Sequence, residues 1–82
     1  MAKKDDLPDF GPVLRRFRQK KGLTQEQLAH LLDYDSATYV GHLEQGVKRP
    51  SVDLLFKIAN ALGVEPEEMI VEMKKEVPGG TE

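Results

Sequence analysis

Three glycines cut this chain into short segments, and that division limits the possible folds more than any other feature of the sequence. Gly22, Gly46 and Gly63 each follow a stretch in which apolar residues recur at helical spacing. A glycine at such a place permits the left-handed turn that ends a helix. No stretch alternates apolar and polar residues for long enough to predict a strand. The sequence therefore predicts an all-α domain built from five short helices.

The first two segments each have a start signal and an apolar stripe. In the first helix, Pro12 falls in the first turn, and the stripe consists of Phe10, Leu14 and Phe17. Thr24 is a suitable N-cap for a second, shorter helix. The residues that we expect to face the core from this second helix are Leu28, Leu31 and Leu32.

The remaining helices follow from the same kinds of signal. Asp35 or Ser36 can cap a third helix that runs to about Gln45. Ser51 can cap a fourth helix, and Pro66 opens a fifth helix whose first turn is acidic. The apolar residues expected on the third helix are Tyr39, Val40 and Leu43, and those on the fourth are Leu54, Leu55, Ile58 and Leu62.

The length of 82 residues suits one domain. We expect a flexible arm at residues 1–7, the folded domain at residues 8–76 and a disordered tail at residues 77–82. Because the chain has no cysteine, disulfides and thiolate metal sites are excluded, and stability must come from apolar packing. No apolar run is long enough for a membrane span or a signal peptide, so the sequence predicts a cytoplasmic protein.

The charged residues are distributed unevenly along the chain. The net charge is −2, but residues 15–57 carry eight basic and five acidic side chains, a balance of +3. Residues 58–82 carry two basic and six acidic side chains, a balance of −4, and residues 1–14 have a balance of −1. Binding to a polyanion depends on a positive face rather than on a positive total. The distribution therefore leaves a nucleic-acid partner possible despite the acidic total.

The second and third predicted helices have the layout of a helix-turn-helix. They are short, a tight polar connection ("DYD") joins them, and the third helix commits few residues to the core. When Val40 and Leu43 point inward, small and hydrogen-bonding residues remain on the other side. A helix that enters the major groove of DNA, about 12 Å wide, needs such a side. The residues on it are Ser36, Ala37, Thr38, Gly41 and His42.

Two longer stretches carry a resemblance to a known family. The segments "FGPVLRRFRQKKGLTQEQLA" and "YVGHLEQGVKRPSVDLLFKIANALGV" resemble the phage-repressor-like helix-turn-helix domains, of the Cro and lambda-repressor or xenobiotic-response-element type. The resemblance runs from Phe10 to about Ile70. It implies a compact lambda-repressor-like domain with its helix-turn-helix at about residues 24–45. It also implies sequence-specific binding of double-stranded DNA by a small transcriptional regulator, a repressor.

The resemblance also implies roles for individual residues. In that family the first residues of the third helix, and the residue one turn later, contact base edges. These positions correspond to Ala37, Thr38 and His42. The phosphate contacts that the family pattern implies are Gln25, Ser36, Tyr39, Lys48 and Arg49.

An ion pair between Arg18 and Glu44 is implied by the family and supported by spacing. Arg18 lies four residues after Leu14, and Glu44 lies four residues after Val40, so each charge stands at the edge of an apolar stripe. A charge at such a position is costly to bury alone. We therefore expect the two side chains to pair.

Three features around the third helix leave alternatives open. Members most like the best-known phage repressors have a glycine where Asp33 stands and one residue fewer in the connection, so the register of the third helix is open by one residue. Gly41 is either a tolerated cost of about 1 kcal/mol relative to alanine or allows a close approach to DNA or to the second helix. The Tyr39 ring can pack in the core, its hydroxyl can bind phosphate, or both.

The fifth helix has an apolar stripe formed by Met69, Ile70, Met73 and Val77. The stripe either packs on helices 1 and 4 or forms the seam of a homodimer. We favour the homodimer, because one helix-turn-helix makes few base contacts and such proteins bind half-sites about 34 Å apart. The operator is then expected to be near-palindromic.

Other function classes receive less support from the sequence. A protein-interaction module of the same fold, antitoxin-like or an adaptor, is the alternative, and the low net charge favours it somewhat. An enzyme is not indicated, because no cysteine nucleophile, Ser–His–acid grouping or glycine-rich phosphate loop is present. His30 and His42, without cysteine, do not make a metal site. We predict double-stranded DNA as the partner, with no cofactor, metal, small-molecule ligand or membrane.

Overall fold

Five α-helices make up residues 9–75, the part of the chain that the computed structural model describes. The helices are α1 (Phe10–Lys21), α2 (Gln25–Leu31), α3 (Thr38–Gln45), α4 (Val52–Leu62) and α5 (Pro66–Lys75). These residues contain no strand, which confirms the predicted all-α fold. None of the described helices is long and apolar enough to cross a membrane. The predicted arm and tail, and residues 8 and 76, lie outside the described residues.

Side-chain caps start α2 and α4 at the predicted residues. Thr24 and Gln27 form a reciprocal capping box, in which the Gln27 N–H donates to Thr24 Oγ1 at 3.0 Å and the Thr24 N–H donates to Gln27 Oε1 at 2.8 Å. Ser51 Oγ accepts the N–H of Leu54 at 3.1 Å. Both caps satisfy donors that the helix itself leaves without partners.

The first four helices end in left-handed turns, and α2 does so without a glycine. Asp33 follows α2 with a φ of 66°. Its N–H donates to the carbonyl of His30 at 3.0 Å, and the N–H of Tyr34 donates to the carbonyl of Ala29 at 2.9 Å. This pair of bonds is the Schellman motif, and aspartate is one of the few residues that tolerate its backbone. The other left-handed residues are Gly22, Gly46 and Gly63.

The start of α3 differs from the prediction. The sequence predicts Asp35 or Ser36 as the N-cap, but the N-cap is Ala37, which makes no side-chain capping bond. Ser36 Oγ instead accepts the N–H of Thr38 at 3.3 Å, and its hydroxyl donates to Thr38 Oγ1 at 3.1 Å. The connection between α2 and α3, which is one residue longer than in the best-known phage repressors, includes residues 34–37, so α3 begins at Thr38. The Ser36 hydroxyl therefore serves the turn that precedes the helix.

The core lies between all five helices. Each helix contributes at least one fully buried side chain, and α1 packs against α3, α4 and α5. α2 packs against α3, and α4 packs against α5. The largest fully buried side chains are Leu14, Leu28, Leu43, Ile58 and Met69.

The prediction that Leu31 faces the core is wrong. Leu31 is 52% exposed, whereas Leu28, Ala29 and Leu32 are buried. Leu31 is the last residue of a helix of seven residues and lies at the edge of its inward face. That edge borders an open groove beside α4, so no neighbouring helix covers the side chain.

Met69 corrects the predicted seam on the fifth helix. Its side chain is fully buried, and Met73 is partly buried against the same core, because α5 packs on α1 and α4. Ile70 is 41% exposed, and Val77 lies outside the described residues. Packing within the protomer therefore accounts for Met69 and Met73, and Ile70 is the described residue of this stripe that stays accessible.

Two glycines inside helices have opposite surroundings. A Cβ atom at Gly11 on α1 would overlap the backbone carbonyl of Glu44 on α3. A Cβ atom at Gly41 would have Gln25 Oε1 as its nearest neighbour, at 3.8 Å, which is an ordinary contact distance. The structure thus requires a glycine at Gly11. It also excludes a close approach to α2 as the reason for Gly41.

Alanine substitutions at these two glycines should change stability in opposite directions. Gly11→Ala should lower the free energy of unfolding by about 1–3 kcal/mol, because the α3 backbone must move away. Gly41→Ala should raise it by about 0.5–1 kcal/mol, because alanine has the higher helix propensity and fits. Urea unfolding followed by far-UV circular dichroism measures both changes. Two changes of the same sign would contradict this packing.

Candidate nucleic-acid interface

α3 has an inward and an outward face. Val40 and Leu43 are buried in the core. Thr38 is exposed, and His42, one turn later, is half-buried. Positions four residues apart lie on the same side of a helix. Two of the residues that the sequence predicts as base contacts therefore share the face of α3 that the protein leaves accessible.

Ala37 and Gln45 lie at the two ends of this outward face. Ala37 is half-buried and directly precedes the first helical residue. Gln45 is exposed and stands three residues after His42 and seven after Thr38, which is the spacing of one helix face. Gln45 is not among the residues predicted from the sequence, although its spacing from His42 indicates the same face.

Two tyrosines meet where the turn joins α3. The ring centroids of Tyr34 and Tyr39 are 5.2 Å apart, with an angle of 51° between the ring planes. Both rings are half-buried and pack against the core. Burial raises the pKa of the Tyr34 hydroxyl, and the neighbouring Tyr39 phenol raises it further. The Tyr39 ring therefore packs against the core, as one of the alternatives from the sequence expects. Its contact with Tyr34 was not predicted.

The loop after α3 is attached to the end of that helix. The backbone N–H groups of Val47 and Lys48 both donate to the carbonyl of His42, at 2.9 and 3.2 Å. The side chains of Lys48 and Arg49 are exposed. Two exposed cationic residues thus follow the last turn of α3, and the sequence predicts both as phosphate contacts.

Gln25 is the first residue of α2 and reaches towards α3. Its Nε2 atom donates to Glu44 Oε1 at 3.0 Å. An amide nitrogen has two hydrogens, so this bond leaves a second N–H in the group. Glu44 therefore fixes the orientation of a side chain that the sequence predicts as a phosphate contact.

The Glu44 side chain is fully buried and pairs with α1. Arg18 Nε lies 2.6 Å from Glu44 Oε2, and the Arg18 side chain is 11% exposed. A second guanidinium nitrogen of Arg18 donates to Glu44 Oε1 at 3.2 Å. Arg15 Nε lies 3.3 Å from the same oxygen, but the Arg15 side chain is 52% exposed. Together with the bond from Gln25, these contacts join α1, α2 and α3 through one carboxylate.

The Glu44 pKa shows which effect prevails in this network. Burial alone would raise the pKa, but hydrogen bonds from Arg18, Gln25 and Arg15 and the Arg18 charge bring it below its ordinary value. The unfolded chain therefore takes up this proton at a higher pH than the folded chain. The stabilisation is complete above the unfolded pKa, about 4.3, and is lost as the pH falls through the lower folded pKa.

The other charged groups of the described residues do not form a cluster that could hold a metal ion. Within residues 9–75, no three His, Asp or Glu side chains are arranged to hold a metal ion. The acidic first turn of α5 belongs to a helix that packs on α1 and α4. The arrangement around α3 offers hydrogen-bonding groups and cations, which suit recognition of a polyanion.

Comparisons with known proteins agree with this architecture. The helix-turn-helix family model matches residues 14–69. The control protein C.BamHI of Bacillus amyloliquefaciens is 37% identical over 62 residues, which cover 74% of this chain and 75% of that protein. An uncharacterised HTH-type transcriptional regulator of Sinorhizobium fredii is 38% identical over 71 residues, covering 87% of this chain and 90% of its own.

Solved structures show the same fold. The restriction-modification controller protein C.AhdI of Aeromonas hydrophila superposes with a TM-score of 0.70 and 45% identity, over 79% of this chain and 97% of that chain. The clp gene regulator ClgR of Corynebacterium glutamicum superposes with a TM-score of 0.79 and 33% identity, over 85% and 88% of the two chains. The matched family residues include all of α2 and α3.

Removal of one partner of the buried carboxylate should be costly. Arg18→Met should lower the free energy of unfolding at pH 7 by about 3 kcal/mol, because Glu44 is left buried with too few partners. Arg15→Met is the matched control and should cost less than about 1 kcal/mol, since that side chain is largely exposed. Urea unfolding measures both variants. Similar losses in the two would contradict the dominant role of Arg18.

Proposed function

The chain belongs to the helix-turn-helix family of DNA-binding transcriptional regulators, and we propose that it binds a near-palindromic operator as a homodimer and represses transcription. The observation that carries the proposal is the outward face of α3. Thr38 and His42 are accessible there, while Val40 and Leu43 hold the helix on the core. A helix with one such face fits the major groove of DNA.

Base recognition in this proposal depends on few groups. The Thr38 hydroxyl and the His42 imidazole each donate or accept a hydrogen bond, so both can contact base edges. Ala37 offers only a methyl group, which suits an apolar contact such as the methyl of thymine. The specificity of one protomer is therefore modest, and two copies are needed for a selective regulator.

Phosphate contacts in this proposal surround the recognition helix on both sides. Lys48 and Arg49 follow α3, and Gln25 begins α2. Ser36 and Tyr39 add hydroxyl groups at the turn and at the start of α3. Such contacts fix the register of the protein on the duplex and make its affinity fall with salt.

Repression follows from occupancy of the operator, which excludes polymerase from the covered duplex. The similar proteins include restriction-modification controllers and a regulator of clp genes. One fold therefore serves different target genes, and the operator that α3 reads decides which genes this chain regulates. We place its action in the cytoplasm, with the DNA that it binds.

An apolar face on α4 and α5 is the surface that we assign to dimerisation. Val52 is 71% exposed and Phe56 is 58% exposed, four residues apart on one side of α4. Phe56 also lines a groove at the junction with α5, together with Val64 and Pro66. Ile70 lies one turn after Pro66 and is the accessible residue among the described members of the predicted seam.

The charges beside this face suit a second copy of the same chain. Asp53 and Lys57 lie four residues apart on α4, next to Val52 and Phe56, and both are exposed. In a two-fold pairing of antiparallel α4 helices, Asp53 of one protomer faces Lys57 of the other, and the reverse contact repeats on the other side. The apolar centre and charged rim are typical of protein interfaces.

Duplexes selected from a random pool provide the test of DNA binding. Thr38→Ala and His42→Ala should weaken binding to the selected operator more than binding to random duplex, because they remove base contacts. Lys48→Gln and Arg49→Gln should weaken both and flatten the salt dependence. Fluorescence anisotropy at several salt concentrations measures these changes. Feeble binding to every duplex at low salt would contradict the proposal and favour a protein-interaction module.

A charge on the α4 face tests the dimer. Phe56→Glu should yield a monomer and weaken operator binding, because it places a carboxylate in an apolar contact. Val71→Glu is the matched control, since Val71 is 51% exposed on the groove that α5 forms with α1 and should leave the dimer intact. Sedimentation equilibrium measures the mass of each. An unaltered protein that stays monomeric when bound to its operator would contradict the dimer.

A further inference from the structure

Tyr34 lies in the connection that precedes α3, and the proposed function gives it no role. The left-handed turn at Asp33 and the bond from the Tyr34 N–H to the Ala29 carbonyl, at 2.9 Å, fix its backbone at the end of α2. Its ring packs partly against the core. Tyr34 is therefore held from two sides, by its backbone and by its ring.

The held ring of Tyr34 lies against Tyr39. A centroid distance of 5.2 Å and an interplanar angle of 51° fall within the favourable range for a pair of aromatic rings. Tyr39 is the second residue of α3, and the N-cap residue Ala37 makes no side-chain capping bond. The Tyr34 ring thus supplies a fixed contact at the start of α3.

The position of a tyrosine hydroxyl depends on what packs against its ring. A tyrosine has two side-chain torsions, and a ring pinned on one side keeps its hydroxyl in a small region. The ring contact with Tyr34 therefore limits the region that the Tyr39 hydroxyl can occupy.

We propose that Tyr34 is a positioning residue for DNA binding, whose ring holds the Tyr39 ring so that the Tyr39 hydroxyl meets a phosphate of the duplex. This inference rests on the proposed function, in which Tyr39 contacts phosphate. It adds that the ring of Tyr34, and not its hydroxyl, contributes to affinity. Tyr34 then acts through Tyr39 and touches no DNA itself.

A double-mutant cycle with the selected operator tests the inference. Tyr39→Phe should weaken binding about tenfold, because it removes a hydrogen bond to a charged group. Tyr34→Phe, which keeps the ring, should stay within about twofold of the unaltered protein. Tyr34→Met, which fills space without a ring, should weaken binding as much as Tyr39→Phe. The double variant Tyr34→Met with Tyr39→Phe should bind no more weakly than either single variant.

A neutral phosphate substitute separates positioning from a general structural role. Methylphosphonates are placed one at a time along the operator. They should identify one phosphate whose replacement weakens operator binding by the unaltered protein but not by the Tyr39→Phe variant. That same phosphate should lose its effect in Tyr34→Met. Urea unfolding should show that each variant is folded at the assay temperature. If the Tyr34→Met variant is unfolded, the Tyr34→Leu variant takes its place.

Each other outcome has a defined meaning. Losses that multiply in the double variant, or a loss in Tyr34→Met that is spread over all phosphates, would overturn the inference. A Tyr34→Phe variant as weak as Tyr34→Met would overturn it too, since the Tyr34 hydroxyl would then bind DNA directly. If the unaltered protein binds the operator, any of these results contradicts the inference about Tyr34 but not the proposed function. If the unaltered protein binds no duplex, the inference and the proposed function are both contradicted.

Discussion

The arrangement of the first three helices depends on one buried carboxylate. Glu44 receives bonds from Arg18 and Arg15 on α1 and from Gln25 on α2, and its backbone carbonyl lies against Gly11. A charge without solvent is stable only while such partners stay in place. Because Glu44 belongs to α3, the same interaction that assembles the core also decides which side of α3 faces outward.

The outward side of α3 is therefore a result of packing as much as of composition. Val40 and Leu43 pack α3 against the core. The hydrogen bond from Gln25 to Glu44 joins the start of α2 to the last turn of α3. Thr38 and His42 take no part in these contacts and remain accessible. The residues that we assign to bases and those that we assign to phosphates are thus mounted on one rigid unit, which recognition of a fixed duplex geometry requires.

Local signals predicted most of this structure, and the errors arose where distant neighbours decide. The cap at Thr24 and the helix end at Gly46 depend on residues within one turn, so the sequence showed them. Leu31 and Met69 have similar apolar side chains, yet Met69 is buried because α5 packs on α1 and α4, whereas Leu31 at the end of α2 is 52% exposed. The start of α3 was predicted too early for a related reason, since the path of residues 34–37 depends on where the helix packs. The Tyr34–Tyr39 contact had no signal in the sequence beyond the two residues themselves.

The left-handed turns that end the first four helices affect how fast the chain folds. Gly22, Asp33, Gly46 and Gly63 end the first four helices with hydrogen bonds between residues close in sequence, so local contacts set these helix ends. Helical domains in which local contacts dominate fold in about microseconds to milliseconds. Folding of one protomer is therefore fast, and in the proposed function the concentration-dependent pairing of two copies is the slower step before operator binding.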